Sequence, residues 1–279
     1  MIRPCRVDPR ARWLLGGVFV SVACTLLMTF PVAAQEAIIF GDIDIDWVRA
    51  SGFFWRGEVN GSIGNSPLGD LPDFVDPIDV TDDLGVDDGA TGWLIDGDFG
   101  VARRHRLLVS FSGLAPGGTT VISTVDDGGV PLDVLVDTRL SMRDFHGAYN
   151  FLYSTRAWMD AGVIGGVGYV ASSIDIVSNV GDQFNEFNSP YALIGGNVRL
   201  KSQDVISIYA ELTGFPSVEA GGQSGWVMDL EVEFLVYPTP NIGVIAGYKR
   251  YQLSLDGTPD RLGMNLVWDG YVLGGQYRF

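Results

Sequence analysis

In residues 225–237, GWVMDLEVEFLVY, one phase is apolar without a break. Trp226, Met228, Leu230, Val232, Phe234 and Val236 hold that phase, and Asp229, Glu231 and Glu233 stand on the other. A period of two predicts a β-strand with two unlike faces. Alternation alone leaves open which face meets water. The same period recurs along the chain. Residues 52–63 set Phe53, Trp55, Val59 and Ile63 against Arg56, Glu58, Asn60 and Ser62. Residues 92–101 set Trp93, Ile95, Phe99 and Val101 against Asp96 and Asp98, and residues 106–113 set Leu107, Val109 and Phe111 against Arg106, Ser110 and Ser112. Further segments follow at 136–153, 157–173, 190–200, 205–213, 242–253 and 262–279. The pattern predicts an all-β chain of about ten strands, with eight as the alternative count, each long enough to cross a bilayer at a tilt.

The predicted connections alternate in length. Residues 103–105, 154–156, 201–204 and 238–241 are tight turns. Residues 64–90, 125–134, 175–188, 214–224 and 254–261 are longer and rich in Gly, Asp, Asn, Ser and Pro. A soluble meander has no reason to sort its loops in this way, whereas a closed antiparallel transmembrane β-barrel does, with short turns toward the periplasm and long loops outside. Two strands change phase midway. Leu262, Met264, Leu266 and Trp268 share one phase, while Tyr271, Leu273, Tyr277 and Phe279 share the other. Leu140 and Met142 are likewise out of phase with Phe145, Tyr149, Phe151 and Tyr153. Each slip marks either a bulge, near Asp269 and Gly270 in the first case, or the upper, water-exposed end of a long strand. The glycines of residues 162–168 make room for close packing across the wall and are not a phosphate loop, since no helical pattern follows.

Composition sharpens this picture. The 279 residues carry a formal net charge of −16 yet are 47% hydrophobic, with a mean hydropathy of +0.20, so apolar surface facing something other than water is expected. The N-terminus carries Arg3, Arg6, Arg10 and Arg12, an apolar run from Leu14 to Phe30, and a small-residue site with Val32 and Ala34 before Gln35. These features predict a signal peptide at 1–34, then a periplasmic N-terminal segment at 35–51 and the barrel at 52–279. Removal of the four arginines and Asp8 leaves 14 basic against 33 acidic residues. Cys5 and Cys24 leave with the signal, so the exported chain has no thiol chemistry. An acidic surface argues against nucleic acid as a partner. Export to the outer membrane implies lipid and lipopolysaccharide around the barrel, periplasmic chaperones and the barrel assembly machinery on the way, and a monomer at the end.

The chain ends GGQYRF. Gly274, Tyr277 and the terminal Phe279 look like the C-terminal signature by which outer-membrane barrels are recognised for assembly, with Val272 where a polar residue is usual. Residues 82–88 (DDLGVDD), 103–114 (RRHRLLVSFSGL), Tyr149 with Phe151, 189–196 (SPYALIGG), 241–255 and 268–279 lie in order across nearly all of 52–279. Through them the chain resembles a large, uncharacterised family of Gram-negative outer-membrane β-barrel proteins. The resemblance implies a fold and a location and brings no site residue.

With the apolar phase turned to lipid, the polar phase lines the lumen. Arg56, Glu58, Asp96, Asp98, Glu211, Asp229, Glu231, Glu233 and Lys249 are its expected charges, joined by Arg106, Asp160, Arg199 and Arg278. Charges there must pair or be solvated, so a salt-bridged lumen filled by side chains is expected, with a small-solute channel as the alternative. DVTDDLGVDDG (79–89) offers five carboxylates without EF-hand spacing, and reads as a solvated outer loop; neither a metal nor a cofactor is expected. His146 shares a phase with Asp144 and Asn150, but lies near mid-strand, and His105 sits in a tight turn. A rim-active hydrolase, of the architecture seen in omptin proteases, is therefore the less favoured reading, and no enzymatic activity is expected. Tyr153, Trp158, Trp226, Tyr237, Tyr248, Tyr271 and Tyr277 lie near strand ends, where aromatic girdles belong.

Overall fold

The computed structural model describes residues 46–64, 78–86, 89–125, 131–178, 182–202, 205–216, 225–256 and 263–279. Twelve strand segments follow in chain order: β1 (Trp47–Gly64), β2 (Ile78–Asp79), β3 (Ala90–Ala102), β4 (His105–Leu114), β5 (Gly117–Val125), β6 (Pro131–Thr155), β7 (Met159–Ser178), β8 (Asp182–Ser202), β9 (Ile206–Pro216), β10 (Gly225–Val236), β11 (Ile242–Leu255) and β12 (Gly263–Arg278). Every pairing is antiparallel, and β12 pairs with β1 from Arg49↔Arg278 to Gly64↔Gly263, which closes the sheet. β4 and β5 run one after the other along the same neighbour. β4 covers β6 from Met142 to Phe151 and β5 covers it from Pro131 to Arg139, with a bend at Ala115 and Pro116 between them. Counting them as one wall strand, and β2 as a two-residue addition to the top of β1, the barrel has ten strands.

The first strand begins at Trp47, so the boundary expected at residue 52 moves back by five residues. Trp47–Ser51 already pair with β3, and Arg49 pairs with the end of β12. Residues 35–45 of that segment lie outside the described residues, as does the segment 1–34. Strands β7 and β8 reach Ser178 and begin at Asp182, so most of the long loop expected at 175–188 is strand. β6 likewise starts at Pro131, inside the expected loop 125–134. Polar residues such as Ser173 and Asp175 fit a strand here because, at this height, they stand on the outside and Ile174 and Ile176 are buried inside.

This inversion organises the whole barrel. At the turn end, the outward positions are apolar: Val244, Ala246, Phe234, Val232, Ile208, Leu212, Val163 and Val167, the last 69% exposed. Toward the loop end outward positions become polar or charged, as at Arg56 and Glu58 of β1, Arg139 and Arg143 of β6, Arg250 of β11 and Asp269 of β12. The interior changes in the opposite sense. It is charged at the turn end, and at the loop end it is a continuous apolar core that includes Trp55, Val59, Ile63, Leu140, Ile174, Leu253 and Trp268. The two phase slips in the sequence are this exchange. β12 keeps one register with both neighbours through Asp269 and Gly270, and β6 keeps one register from Val136 to Leu152, so no bulge stands at either place. The shifts in register occur instead at Gly100/Ala102 and Leu152/Ser154, beside the tight turns. A strand crosses the hydrocarbon of a bilayer in about ten residues, and the 25 residues of β6 are far more than that. The excess rises beyond the apolar band and follows the rule of a soluble β-barrel, apolar inward and polar outward.

The loop-end core is closed by residues 78–86. Ile78 and Asp79 extend the edge of β1 at Ile63 and Ser62, the Val80 N–H donates to the Gly61 carbonyl at 2.9 Å, and the Thr81 hydroxyl donates to the Val59 carbonyl at 2.8 Å. Val80, Leu84 and Val86 are buried, and Val86 bridges to Gly118 at the start of β5. Gly85 holds φ +64, a left-handed conformation that favours glycine, and returns the chain toward the wall.

Candidate functional site

The interior is the chemically richest part of the molecule, and it is layered. Inward positions are odd on β1, β8, β9, β10 and β11 and even on β3, β4, β6, β7 and β12. At the turn end, Arg49 of β1 lies 3.7 Å from Asp98 of β3. Arg106 of β4 reaches Asp98 at 3.8 Å and Asp160 of β7 at 3.2 Å, and Lys201 of β8 donates to Asp160 at 3.0 Å. The Arg49 guanidinium lies 4.1 Å from the Trp47 ring centre, and Arg106 lies 5.1 Å from it. On the other side of this layer Tyr237 donates to Gln276 at 2.5 Å, Gln276 donates to Ser51 at 2.9 Å, and Arg278 lies over the Tyr237 ring.

The middle layer is acidic. Lys249 of β11, 3% exposed, donates to both carboxylate oxygens of Asp229 at 2.6 and 2.7 Å and to Glu231 at 3.0 Å. The register produces this directly, since Glu231 stands opposite Lys249 on one side and Glu211 on the other. Glu211 accepts from the Tyr209 hydroxyl, Tyr209 accepts from Asn197 at 3.3 Å, and Arg199 lies 4.8 Å from the Tyr209 ring centre. Asp144 accepts from the Tyr191 hydroxyl at 2.6 Å and pairs with His146 at 2.9 Å.

Above this layer the lumen is apolar. Trp55 and Trp268 stack with ring centres 3.4 Å apart and planes 13° apart, and Lys249 lies 5.7 Å from the Trp55 ring centre. Gly92 allows the stack, because a Cβ there would meet the Trp268 ring. His146 is thus walled in. Its side chain is 13% exposed, and the buried Met142 and Leu140 stand between it and the loop end on its own strand.

Of the expected lumen charges, Asp96, Asp98, Glu211, Asp229, Glu231, Glu233 and Lys249 do point inward, with Arg106, Asp160 and Arg199. Arg56 and Glu58 do not. They are exposed, on the outer phase of β1 with Phe54, beyond the apolar band. The apolar phase of 52–63 faces the core because this stretch stands where water, not hydrocarbon, surrounds the wall. Tyr237 is the other correction: at 6% exposure it belongs to the interior and not to a girdle. Tyr271, Tyr153 and Trp226 are exposed on the outer face, joined by Phe54, Trp93, Phe145 and Tyr169, and Trp158 is exposed in the turn between β6 and β7. In the segment 79–89, Asp79 accepts from the backbone N–H groups of Thr81 and Asp82, and Asp83 accepts from that of Asp79, each at 2.8 Å. Among the described residues no group of three or more His, Cys, Asp or Glu is placed to hold a metal. At the C-terminus Tyr277 and Phe279 pack edge to face at 4.6 Å, the Phe279 N–H donates to the Val48 carbonyl at 2.9 Å, and Gly274 allows Phe53 and the Gly52 carbonyl to approach closely.

No known family matches the sequence, and no curated protein matches it. Solved structures do match the fold. The outer membrane protease OmpT from Escherichia coli is similar over 84% of this chain and 97% of its own, at 12% identity and a TM-score of 0.55. The translocator domain of the autotransporter NalP from Neisseria meningitidis covers 94% of this chain at 10% identity, with 98% of its own length matched and a TM-score of 0.44. The attachment invasion locus protein Ail of Yersinia pestis covers 83% of this chain and 98% of its own at 10% identity, with a TM-score of 0.34. Closed antiparallel topology, ten wall strands and an outward apolar band give this chain the fold of the outer-membrane β-barrels.

Proposed function

We propose that the protein is an integral outer-membrane barrel of Gram-negative type whose lumen is closed, and that it acts through its outer surface. The observation that carries this reading is the filling of the lumen through its middle and loop-end layers. A Trp55–Trp268 stack inside an apolar core lies over a layer in which Lys249 holds two carboxylates. Water and ions find no polar path through such a core, and directly below it Lys249 pairs with Asp229 and Glu231. The outward apolar band with aromatic residues at its edges is the surface that hydrocarbon and headgroups require. Lipid and lipopolysaccharide are then its permanent neighbours, with Gly274, Tyr277 and Phe279 as the signature offered to the assembly machinery. Arg56, Glu58, Arg139, Arg143 and Arg250 project outward beyond that band and form a polar collar available to partners outside the cell.

A small-solute channel and a rim hydrolase draw less support, the first because the core spans the bore and the second because His146 lies beneath apolar side chains. Single-channel recording of the refolded protein in planar bilayers tests the reading: no conductance steps are expected. Stable open-channel currents would overturn it, and recovery from the periplasmic instead of the outer-membrane fraction would overturn the location.

A further inference from the structure

At the turn end the barrel opens into a vestibule of about 520 Å³, within the range of small-molecule sites. Five cations line it, Arg49, Arg103, Arg106, Arg156 and Lys201, against one carboxylate, Asp160. The concentration is unusual in this chain, which has 18 Lys and Arg against 34 Asp and Glu. The acids present do not use up the positive charge. Asp160 is shared by Arg106 and Lys201, and Asp98 is shared by Arg49 and Arg106 at the longer distances of 3.7 and 3.8 Å. Arg103 and Arg156, on the tight turns, form no ion pair among the described residues.

Arg49 provides the second, independent indication. It is 9% exposed, and its Nε and Nη1 have no hydrogen-bond partner among the described residues, although an uncompensated buried guanidinium donor is costly. Trp47 fixes the plane of this guanidinium from one face. The lining side chains belong to inward positions and turns, so the vestibule opens along the barrel axis to water and not through the wall to lipid. Above it the acidic middle layer would repel an anion moving farther in, which makes the vestibule a terminus and not a path.

We infer that this vestibule is a binding site for a multiply charged oxyanion of the phosphate class, held in a charge-assisted fork by Arg49 with help from Arg156 and Arg103 at the mouth. Guanidinium groups suit this role because their planar donors match phosphate oxygens in pairs. The test is calorimetric titration of pyrophosphate into the mature protein refolded in a neutral detergent, at fixed ionic strength. Saturable binding is expected, at least tenfold weaker in Arg49→Gln and several-fold weaker in Arg156→Gln, and unchanged in Arg139→Gln, which removes an exposed cation at the opposite end. A heat-dependent gel shift verifies that each variant is folded, and Arg156→Gln, on an exposed turn, keeps the test valid if Arg49→Gln fails to fold. Absence of saturable binding, equal competition by chloride, or indifference to both substitutions would overturn the assignment. Binding that emerges only after deletion of residues 35–45 would also overturn it, by giving the vestibule to the chain's own Asp42 and Asp44.

Discussion

Replacing Lys249 by methionine tests whether the middle layer is held by charge pairing. Methionine keeps most of the length of the stem and removes three donated hydrogen bonds, two to Asp229 and one to Glu231. Removing one partner of a buried pair typically costs about 3–5 kcal/mol, because the remaining charge is left uncompensated. An upper limit comes from the alternative open to the carboxylate, which is to bind a proton. From an aqueous value of about 3.9, protonating an Asp at pH 7 costs about 4 kcal/mol. The expected loss is therefore about 3–4 kcal/mol, read as a lower urea midpoint in detergent micelles with little change in slope. The sign of the pH dependence follows. If the folded variant holds a proton that the unfolded chain releases, its stability rises as pH falls, by about 1.4 kcal/mol per unit between pH 7 and about 5. The double variant Lys249→Met/Asp229→Asn should recover part of the loss. A Lys249→Met protein with wild-type stability and no pH dependence would refute the ion-paired layer, and with it the claim that the lumen is closed by side chains at this depth.

Four further outcomes follow from the exchange of faces along the strands. Val167→Arg, on the outward apolar band of β7, should destabilise the folded barrel by about 2–4 kcal/mol in lipid, whereas Arg56→Ala, beyond the band, should fall within about 0.5 kcal/mol of wild type; urea unfolding in lipid vesicles compares the two. Trp268→Ala should cost about 3–5 kcal/mol through the cavity left beside Trp55, seen as a lower temperature for the heat-dependent gel shift. Gly92→Val should cost about 1–3 kcal/mol by driving a side chain into the Trp268 ring, and Trp268→Leu in the same chain should relieve it. Leu230→Asp, on the outer face of β10, should reduce assembly into outer membranes, while Glu231→Gln should assemble normally, as quantified by membrane fractionation.

The strand count and the closed antiparallel barrel were legible because period-two alternation and sorted loop lengths are local properties of the chain. So were the inward charges of β10, where Asp229, Glu231 and Glu233 share one phase within the band. Arg56 and Glu58 were misplaced because a single phase rule, polar inward, was extended past the height at which it holds. The sequence did carry the needed signal. The changes of phase at Asp269–Gly270 and between Met142 and Phe145 mark that height, but a bulge would produce the same pattern, and only the unbroken register separates the two. The vestibule was not legible at all, since Arg103, Arg106, Arg156 and Lys201 come from the tight-turn ends of three separate hairpins and Arg49 from the first strand, and no spacing in the sequence joins them.

The exchange of faces also explains why an acidic chain has a cationic end. Each strand must be apolar outward within the band, so its charge there is confined to the lumen, where the acids of β3, β9 and β10 gather around few bases. Mutual repulsion in that layer is lowered when positive charge stands next to it on the same axis. Arg49 stands opposite Asp98, Arg106 stands one inward step below Asp98, and Arg199 and Lys201 stand opposite positions one and two inward steps below Glu211. On the other side of the acids stands the tryptophan stack, which offers no counter-charge except the ring faces toward Lys249. The stabilising field is therefore one-sided, and cations in excess of the nearby acids accumulate at the open end. A barrel built to be sealed by an apolar core above its charged layer thus acquires an electropositive mouth below it. The two features are therefore coupled: weakening the acidic layer with Glu231→Gln and Glu211→Gln would leave the vestibule more positive, and pyrophosphate should then bind more tightly than in the wild type, by a few-fold in calorimetry.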